Sequence, residues 1–545
     1  MSRLHVFFKI VLLICLSNAV LGQQGVPRIV INPDGHSGKI YNILFTPNSE
    51  QIVSVSEDKT IRVWNARNGE LINKFESEIG SGYQGMLYAS SISPDGKLLA
   101  VSGYPVITEK KNYILIIDLE SGKQVATAVG HENVINALEF SGNGDYLASG
   151  SDDGKIIIWK VEEKERWRQT AEMSLGGRVT DLSFNKRTQQ LAAAADSEKI
   201  FLYDLSKLSS GISKFAPQEL KKHKDMVNKI AFSADGVYLA SSSFDNELFL
   251  WKADGSFVKA MDNVDNIINA LTFSYDSKVL VAMDAVGNGI SYSIPSGGEF
   301  SRFNGHDNTV FSADFSPTSA SGNYLVASAG GNDNEIQIWN PINGRSKQKI
   351  KGKGNTIWDL QFGEGFELFI SRKQSKSDAK SKFHQSFDFN TFSIDSEPGE
   401  PGISFLKSTQ EIAQTGIYSL RVDRGGEIMN DQFEDGRILD FTTTPKGNVV
   451  VASDFSLKMY NSRGQMLKEF LGHTGGVRSV AVSRDGRYLS SGSEDQSIRL
   501  WKLDEKGEAP SMREVFIEPI WGEYFESLDI DSLTYEQSTE AWQEV

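Results

Sequence analysis

Short runs of alternating apolar and polar residues recur along most of the chain, with turn residues between them. Near the C-terminal end the runs are Val477–Val482, Tyr488–Gly492 and Ile498–Trp501, and the turns are Ser483–Gly486 and Ser493–Gln496. A period of two is typical of β-strands, while clustered Ser, Asp and Gly favour tight turns. The pattern therefore predicts a succession of small antiparallel sheets, each made of three or four short strands.

Four of these units share one spacing of polar and aromatic residues. A His near the start is followed eighteen residues later by Ser, then four residues later by Asp, and six residues later by Trp. The four sets are His36, Ser54, Asp58 and Trp64; His131, Ser149, Asp153 and Trp159; His223, Ser241, Asp245 and Trp251; His473, Ser491, Asp495 and Trp501. Self-similarity at a fixed period indicates a repeat architecture.

The four residue types in each set complement one another as hydrogen-bonding groups. Trp only donates, ionised Asp only accepts, and Ser and His do both. A chain of hydrogen bonds from Trp through Ser and His to Asp would satisfy every polar group in a buried position. We therefore predict that each set is a structural tetrad that ties one turn to two strands.

These motifs resemble those of the WD-repeat β-propeller family. The units open with Gly-His or Lys-His and end in Trp-Asn or Trp-Lys, as in Trp64-Asn65 and Trp501-Lys502, where the family more often has Trp-Asp. The resemblance spans Ile29 to Lys502 and suggests an exported member of bacterial type. It implies an all-β propeller fold built from four-stranded antiparallel blades.

About eleven units can be counted once degraded copies are included, and a single ring usually has four to eight blades. We therefore predict two tandem propellers. The alternative is that weak blades between Gly352 and Asn430 escape the count. Whether the strand at Arg28–Ile31 closes the first or the second ring stays open. The predicted domains are a signal peptide (1–22), a first propeller of about seven blades (23–350), more degenerate blades (351–510) and an acidic tail (511–545).

Composition and the N-terminal segment indicate which partners and which cellular location to expect. The 545 residues have a formal net charge of −15, which argues against nucleic acid as a partner. Arg3 and Lys9 precede the apolar run Ile10–Leu16, a pattern of secretory signal peptides that is too short to span a bilayer. We expect cleavage of this segment, no stable membrane insertion afterwards, and a secreted, periplasmic or cell-envelope location. Cys15, the one Cys, would leave with the signal.

Catalytic chemistry finds little support in the sequence. Ser, His and Asp together suggest a hydrolase, but a catalytic set occurs once, whereas this one recurs at equivalent places. His384 has no neighbour of metal-ligand type at a useful spacing, and Asp529–Ser532 is an incomplete match to a calcium loop. We predict that the protein is not an enzyme and has no catalytic residues, cofactor or metal.

The predicted function is that of a protein- or peptide-binding scaffold. Residues five past each His, or just before each Asp, are expected near the rim of one propeller face, where loops gather binding residues. The candidates for this rim are Tyr41, Glu57, Asn136, Asp152, Asn228, Phe244, Phe311, Arg478 and Glu494. The alternatives are an enzyme or small-ligand binder acting at the propeller axis, and a regulatory module for a separate effector chain.

Overall fold

The computed structural model describes part of the chain. The described residues are 23–25, 29–32, 35–76, 83–104, 112–163, 166–317, 324–330, 334–351, 359–362, 367–371, 385–388, 393–395, 412–416, 419–422, 427–429, 437–454, 456–483, 485–503 and 513–516. The predicted signal peptide, the calcium-loop match at Asp529–Ser532 and His384 lie outside these residues.

Almost all of the described residues belong to short strands or to the turns between them. The strands of the described part begin with β1 (Gln23–Gly25), β2 (Ile29–Asn32), β3 (Ile40–Phe45), β4 (Gln51–Ser56), β5 (Thr60–Asn65), β6 (Leu71–Glu76), β7 (Leu87–Ile92), β8 (Leu98–Gly103), β9 (Asn112–Asp118), β10 (Gln124–His131), β11 (Ile135–Phe140), β12 (Tyr146–Ser151), β13 (Lys155–Glu163), β14 (Arg166–Ser174), β15 (Val179–Phe184), β16 (Gln190–Ala195), β17 (Lys199–Asp204) and β18 (Gln218–Lys221). A short 3-10 helix, Leu208–Ser210, precedes β18.

The middle of the chain continues with β19 (Val227–Phe232), β20 (Tyr238–Ser243), β21 (Leu248–Lys252), β22 (Phe257–Ala260), β23 (Ile268–Phe273), β24 (Val279–Asp284), β25 (Gly289–Ser293), β26 (Glu299–Phe303), β27 (Val310–Phe315), β28 (Val326–Gly330), β29 (Ile336–Asn340) and β30 (Arg345–Ile350). The remaining strands are β31 (Asp359–Phe362), β32 (Glu367–Ser371), β33 (Gln385–Asp388), β34 (Ser393–Asp395), β35 (Ile412–Gly416), β36 (Ser419–Val422), β37 (Glu427–Met429), β38 (Ile438–Thr443), β39 (Val449–Ser453), β40 (Leu457–Tyr460), β41 (Met466–Phe470), β42 (Val477–Val482), β43 (Tyr488–Ser493), β44 (Ile498–Lys502) and β45 (Arg513–Phe516).

The chain divides into two compact units. One unit is Gly35–Gly352, which we call the ring unit, and the other combines Met1–Asp34 with Lys353–Val545, which we call the split unit. The described strands form eleven sheets in total, and most are four-stranded and antiparallel. The all-β prediction with four-stranded antiparallel sheets is confirmed.

The ring unit contains seven four-stranded sheets, each built from four consecutive strands from β3–β6 to β27–β30. The first strand of each sheet contacts the first strand of the next, and β27 of the seventh sheet contacts β3 of the first. Hydrogen bonds seal this last junction, because the N–H of Ile43 donates to Ser312 Oγ and the N–H of Phe45 donates to Asp314 Oδ2. The seven sheets therefore follow one another in a closed cycle.

The apolar core of the ring unit lies between neighbouring sheets. Residues of β4 and β5 are almost all buried, whereas the fourth strand β6 is largely exposed. One core cluster joins Ile156 and Ile158 of the third sheet to Phe184 and Tyr203 of the fourth. The inner strands are thus covered on both faces by adjacent sheets, which explains why their sequences are more uniformly apolar than a half-buried strand requires.

The split unit holds the other four sheets of the described part, and its last sheet draws on both ends of the described chain. Ile29–Asn32 pairs antiparallel with β44, and Arg513–Phe516 then pairs parallel with Ile29–Asn32. This differs from the predicted boundaries, which placed residue 23 onward in the first propeller and residue 511 onward in a tail. The reason is backbone pairing, because β2 lies between β44 and β45, and β45 forms the edge of this sheet.

Candidate functional site

The repeated tetrads form connected hydrogen-bond chains. In the third sheet, Trp159 Nε1 donates to Ser149 Oγ at 2.8 Å, and the same oxygen lies 2.8 Å from His131 Nε2. His131 Nδ1 lies 2.9 Å from Asp153 Oδ2, and that carboxylate also accepts the N–H of Glu132. The chain therefore links the loop before β11 to strands β12 and β13.

The structure brings the other three sets together in the same way. The corresponding side chains are within hydrogen-bonding distance in His36, Ser54, Asp58 and Trp64; in His223, Ser241, Asp245 and Trp251; and in His473, Ser491, Asp495 and Trp501. A fifth, partial set joins His306 and Trp339 to Ser328, and Asp333 of this set lies outside the described residues.

Burial and hydrogen bonds together determine the ionisation of the His and Asp side chains in the tetrads. Burial lowers the pKa of His36 and of His223, and the neighbouring carboxylates Asp58 and Asp245 oppose this effect only in part. For Asp153, burial raises the pKa, but the hydrogen bonds from His131 and from the N–H of Glu132 outweigh it and lower the pKa to about 2. A carboxylate beside a neutral imidazole is the state that favours a static hydrogen-bond chain.

A different set of side chains surrounds the axis of the ring unit. In each of its seven sheets, the first strand has a β-bulge directly after its first residue. A bulge leaves one residue outside the regular pairing and redirects its side chain. The bulged residues, in ring order, are Tyr41, Tyr88, Asn136, Thr180, Asn228, Asn269 and Phe311.

These seven bulged residues, one from each sheet, line a pocket of about 370 Å³, which we call the mouth. Four of them, Tyr41, Tyr88, Asn136 and Phe311, also line a cavity of about 380 Å³. Of the seven, Tyr41, Asn136, Asn228 and Phe311 are rim candidates from the sequence. Sequence reasoning missed Tyr88, Thr180 and Asn269, because their sheets lack the Gly-His motif from which the positions were counted. The signal that could have found them is their place directly after the first apolar residue of each first strand.

The remaining rim candidates are not part of the mouth lining. Glu57 accepts the N–H of Lys39, Asp152 accepts a hydrogen bond from Asn136 Nδ2, and Phe244 is exposed on the turn after β20. Arg478 and Glu494 belong to the split unit, where Arg478 Nε donates to Glu494 Oε1 at 2.6 Å. Arg478 also occupies a bulge after the first residue of β42, so its position in its own sheet matches that of the mouth residues.

Several charged side chains line the cavity, and one of them, Lys229, lines the mouth as well. Glu139, Asp181, Asp314, Lys186 and Lys229 all contribute to the cavity walls. Lys229 Nζ is 3.6 Å from Asp181 Oδ1, and Lys186 Nζ is 5.8 Å from the ring centre of Tyr275. Burial raises the pKa of Glu139 to about 7 and that of Asp314 to about 6, against the attraction of Lys186. The interior therefore holds more carboxyl groups than ammonium groups.

Two features are absent from the described part of the chain. No group of three or more His, Cys, Asp or Glu side chains is arranged there to hold a metal ion. Within the same residues, no helix is long and apolar enough to cross a membrane.

Comparison with known sequences identifies the repeats. Five stretches match the family described as "WD domain, G-beta repeat", and each contains the His and Trp of a tetrad or of the partial set: residues 28–65, 122–160, 216–252, 297–340 and 464–502. The chain therefore carries five WD40 repeats.

Relatives in three kingdoms share these repeats. The chain is 25% identical to a guanine nucleotide-binding protein subunit beta of Zea mays over 243 residues, which cover 43% of this chain and 61% of the relative. It is 22% identical to apoptotic protease-activating factor 1 of Rattus norvegicus over 374 residues (62% and 28%), and 25% identical to protein hir1 of Schizosaccharomyces pombe over 334 residues (53% and 35%). The chain thus spans about three fifths of the maize relative and about a third of the others.

Proposed function

We propose that this protein is a non-catalytic scaffold that binds a protein or peptide partner at the mouth of the ring unit. The observation that carries the proposal is the mouth itself, where each of seven sheets contributes one bulged side chain to the lining of a single pocket. Tyr and Phe, which anchor many protein interfaces, occupy three of the seven positions. The relatives support partner binding, because the maize protein is by its name one subunit of an assembly.

The arrangement of sheets supports a scaffold of two tandem propellers. In the ring unit, seven sheets contact one another in a cycle that closes from β27 to β3. In the split unit, the first strand β42 of the last sheet contacts the first strands β38 and β31 of two others. We assign the ring unit to one propeller and the four sheets of the split unit to a second.

The tetrads support a structural rather than a catalytic role. Ser149 is fully buried, and its hydroxyl oxygen already lies within hydrogen-bonding distance of both Trp159 and His131. A nucleophilic Ser must reach a substrate, and this hydroxyl is enclosed between sheets. The same enclosure recurs at Ser54 and Ser491, which are also fully buried.

Photo-cross-linking tests the proposal. With p-benzoylphenylalanine in place of Phe311, we expect the full chain to cross-link a partner in an extract of its native cells. The purified partner should bind the unaltered chain and lose binding to Phe311→Asp. The matched control is p-benzoylphenylalanine in place of Phe300, an exposed residue of the outer strand β26. Equal cross-linking from both positions, or none at Phe311, would remove the mouth as the binding site.

We further propose that the scaffold acts outside the cytoplasm. The support is the pattern of residues 1–22, with basic residues, an apolar run and small residues up to Gly22. Sequencing the N-terminus of the protein purified from its native cells is expected to give a chain that starts after Ala19 or Gly22. A mature N-terminus at Met1 or Ser2 would contradict export.

A further inference from the structure

The mouth is aromatic on one side only. Phe311, Tyr41 and Tyr88 come from three sheets that follow one another around the ring unit. The ring centres of Tyr41 and Phe311 are 4.9 Å apart, and those of Tyr41 and Tyr88 are also 4.9 Å apart. The opposite side of the mouth carries an amide or a hydroxyl at every bulge, at Asn136, Thr180, Asn228 and Asn269. We call the three rings the aromatic wall.

The polar side of the mouth mostly presents acceptors. The Nδ2 group of Asn228 donates both to Ile268 O and to Asn269 Oδ1, and that of Asn136 donates both to Asp152 Oδ1 and to Val179 O. Each amide N–H₂ group thus has two acceptors already, which leaves the carbonyl oxygens Oδ1 of Asn136 and Asn228 for a ligand. Asn269 and Lys229 are the exceptions, because Asn269 Oδ1 already accepts a hydrogen bond and Lys229 carries an ammonium group, 3.6 Å from Asp181 Oδ1. A donor-rich ligand therefore suits this side of the mouth.

Negative charge surrounds the mouth. Glu132, Asp196, Asp225 and Asp307 are exposed on turns at the same end of the sheets, and none of the four makes an ion pair within the described residues. The exposed basic residues on these turns are Arg178, which lies 3.9 Å from Asp152, Lys224, and Lys222, whose Nζ is 4.1 Å from the ring centre of Phe257. The excess of carboxylates attracts a cationic partner and disfavours an anionic one.

We propose that the mouth binds an arginine side chain of the partner, with the guanidinium group stacked on the aromatic wall. This inference rests on the proposed function and names the chemistry of its ligand. A guanidinium group is planar, stacks on aromatic faces and carries five N–H donors but no acceptor. It therefore matches the rings of Tyr41 and Phe311, the oxygens of Asn136 and Asn228, and the negative surroundings together. The compact ammonium of lysine matches the charge but lacks the planar face.

Peptides that differ in one residue test this assignment on the unaltered full chain. The probes are fluorescent Gly-Ser peptides with a central arginine, a central lysine, or a central citrulline, which has the shape of arginine without its charge. We expect the arginine peptide to bind at least about fivefold more tightly than the citrulline peptide, as a partly desolvated cation–π contact would provide. The lysine peptide should bind more weakly than the arginine peptide.

Substitutions in the aromatic wall test whether the preference for arginine arises there. Phe311→Leu and Tyr41→Leu are expected to remove the preference for arginine, and the matched control Phe300→Leu is expected to keep it. Equal binding of arginine and citrulline peptides, equal binding of arginine and lysine peptides, or a preference that survives Tyr41→Leu would each overturn the proposal. If cross-links form at Phe311 but the arginine and citrulline peptides bind equally, the scaffold function stands and the arginine assignment fails.

Discussion

Replacing His131 by alanine is expected to lower the free energy of unfolding by about 1–3 kcal/mol. His131 is fully buried and bridges Ser149 and Asp153, at 2.8 and 2.9 Å. Without the imidazole, a buried hydroxyl and a buried carboxylate each lose a partner, and unmet hydrogen bonds in the interior carry this cost. Chemical denaturation followed by Trp fluorescence measures the change, since Trp159 belongs to the same chain of hydrogen bonds.

The neighbouring substitution Glu132→Ala is the control for His131→Ala. Glu132 is exposed, and its backbone N–H, which alanine keeps, makes the contact to Asp153. We expect a change within about 0.5 kcal/mol. Folded His131→Ala protein should bind a partner at the mouth as tightly as the unaltered chain. Lost binding or activity together with unchanged stability would show that the tetrad is functional machinery.

Replacing Glu139 by glutamine is expected to raise the free energy of unfolding at pH 8 by about 1–2 kcal/mol. Burial in the cavity raises the pKa of Glu139 to about 7, and the carboxylates of Asp181 and Asp314 add to this, while Lys186 opposes it. Ionisation of Glu139 therefore costs stability. Each unit by which the pKa is raised corresponds to about 1.4 kcal/mol of stability lost when Glu139 ionises. Screening by water in the cavity and the lost attraction to Lys186 make the stability gained by the substitution smaller than this.

The direction of the pKa shift of Glu139 determines the pH range in which Glu139→Gln changes stability. A carboxyl group with a raised pKa holds its proton more tightly in the folded state, so stability falls as pH rises from the unfolded value of about 4.5 to the folded value of about 7. The difference between Glu139→Gln and the unaltered chain should be near zero at pH 4, grow through this window and stay constant above it. The control Glu132→Gln should show no such growth. A difference that is flat from pH 4 to pH 8 would contradict the assignment.

The tetrads show how much a sequence reveals when a fold repeats. His131, Ser149, Asp153 and Trp159 are up to 28 residues apart in the chain, and their equal spacing in four units indicated that they meet. Each tetrad is local to one sheet, so short-range spacing carries the information. The family and the all-β fold follow from the same spacing.

The full set of mouth residues could not be predicted from residue spacing. A bulge is a property of two paired strands, and Tyr88, Thr180 and Asn269 lie in sheets without a Gly-His motif to mark the register. Contacts between sheets are equally hidden, as with the N–H of Phe45, which donates to Asp314 across the closing junction. Such contacts join residues far apart in sequence that carry no shared motif.

The pairing of Ile29–Asn32 with β44 has a consequence for synthesis on the ribosome. The ring unit is contiguous in sequence, so all of its strands have been synthesised once Gly352 has emerged. The strand Ile29–Asn32 leaves the ribosome before the whole ring unit, but its partner β44 exists only after nearly all of the remaining chain has been made. At translation speeds of about 5–20 residues per second, this wait is on the order of half a minute or more. During that time the unpaired edge of Ile29–Asn32 can bind chaperones. The last sheet is completed only when nearly the whole chain has been synthesised.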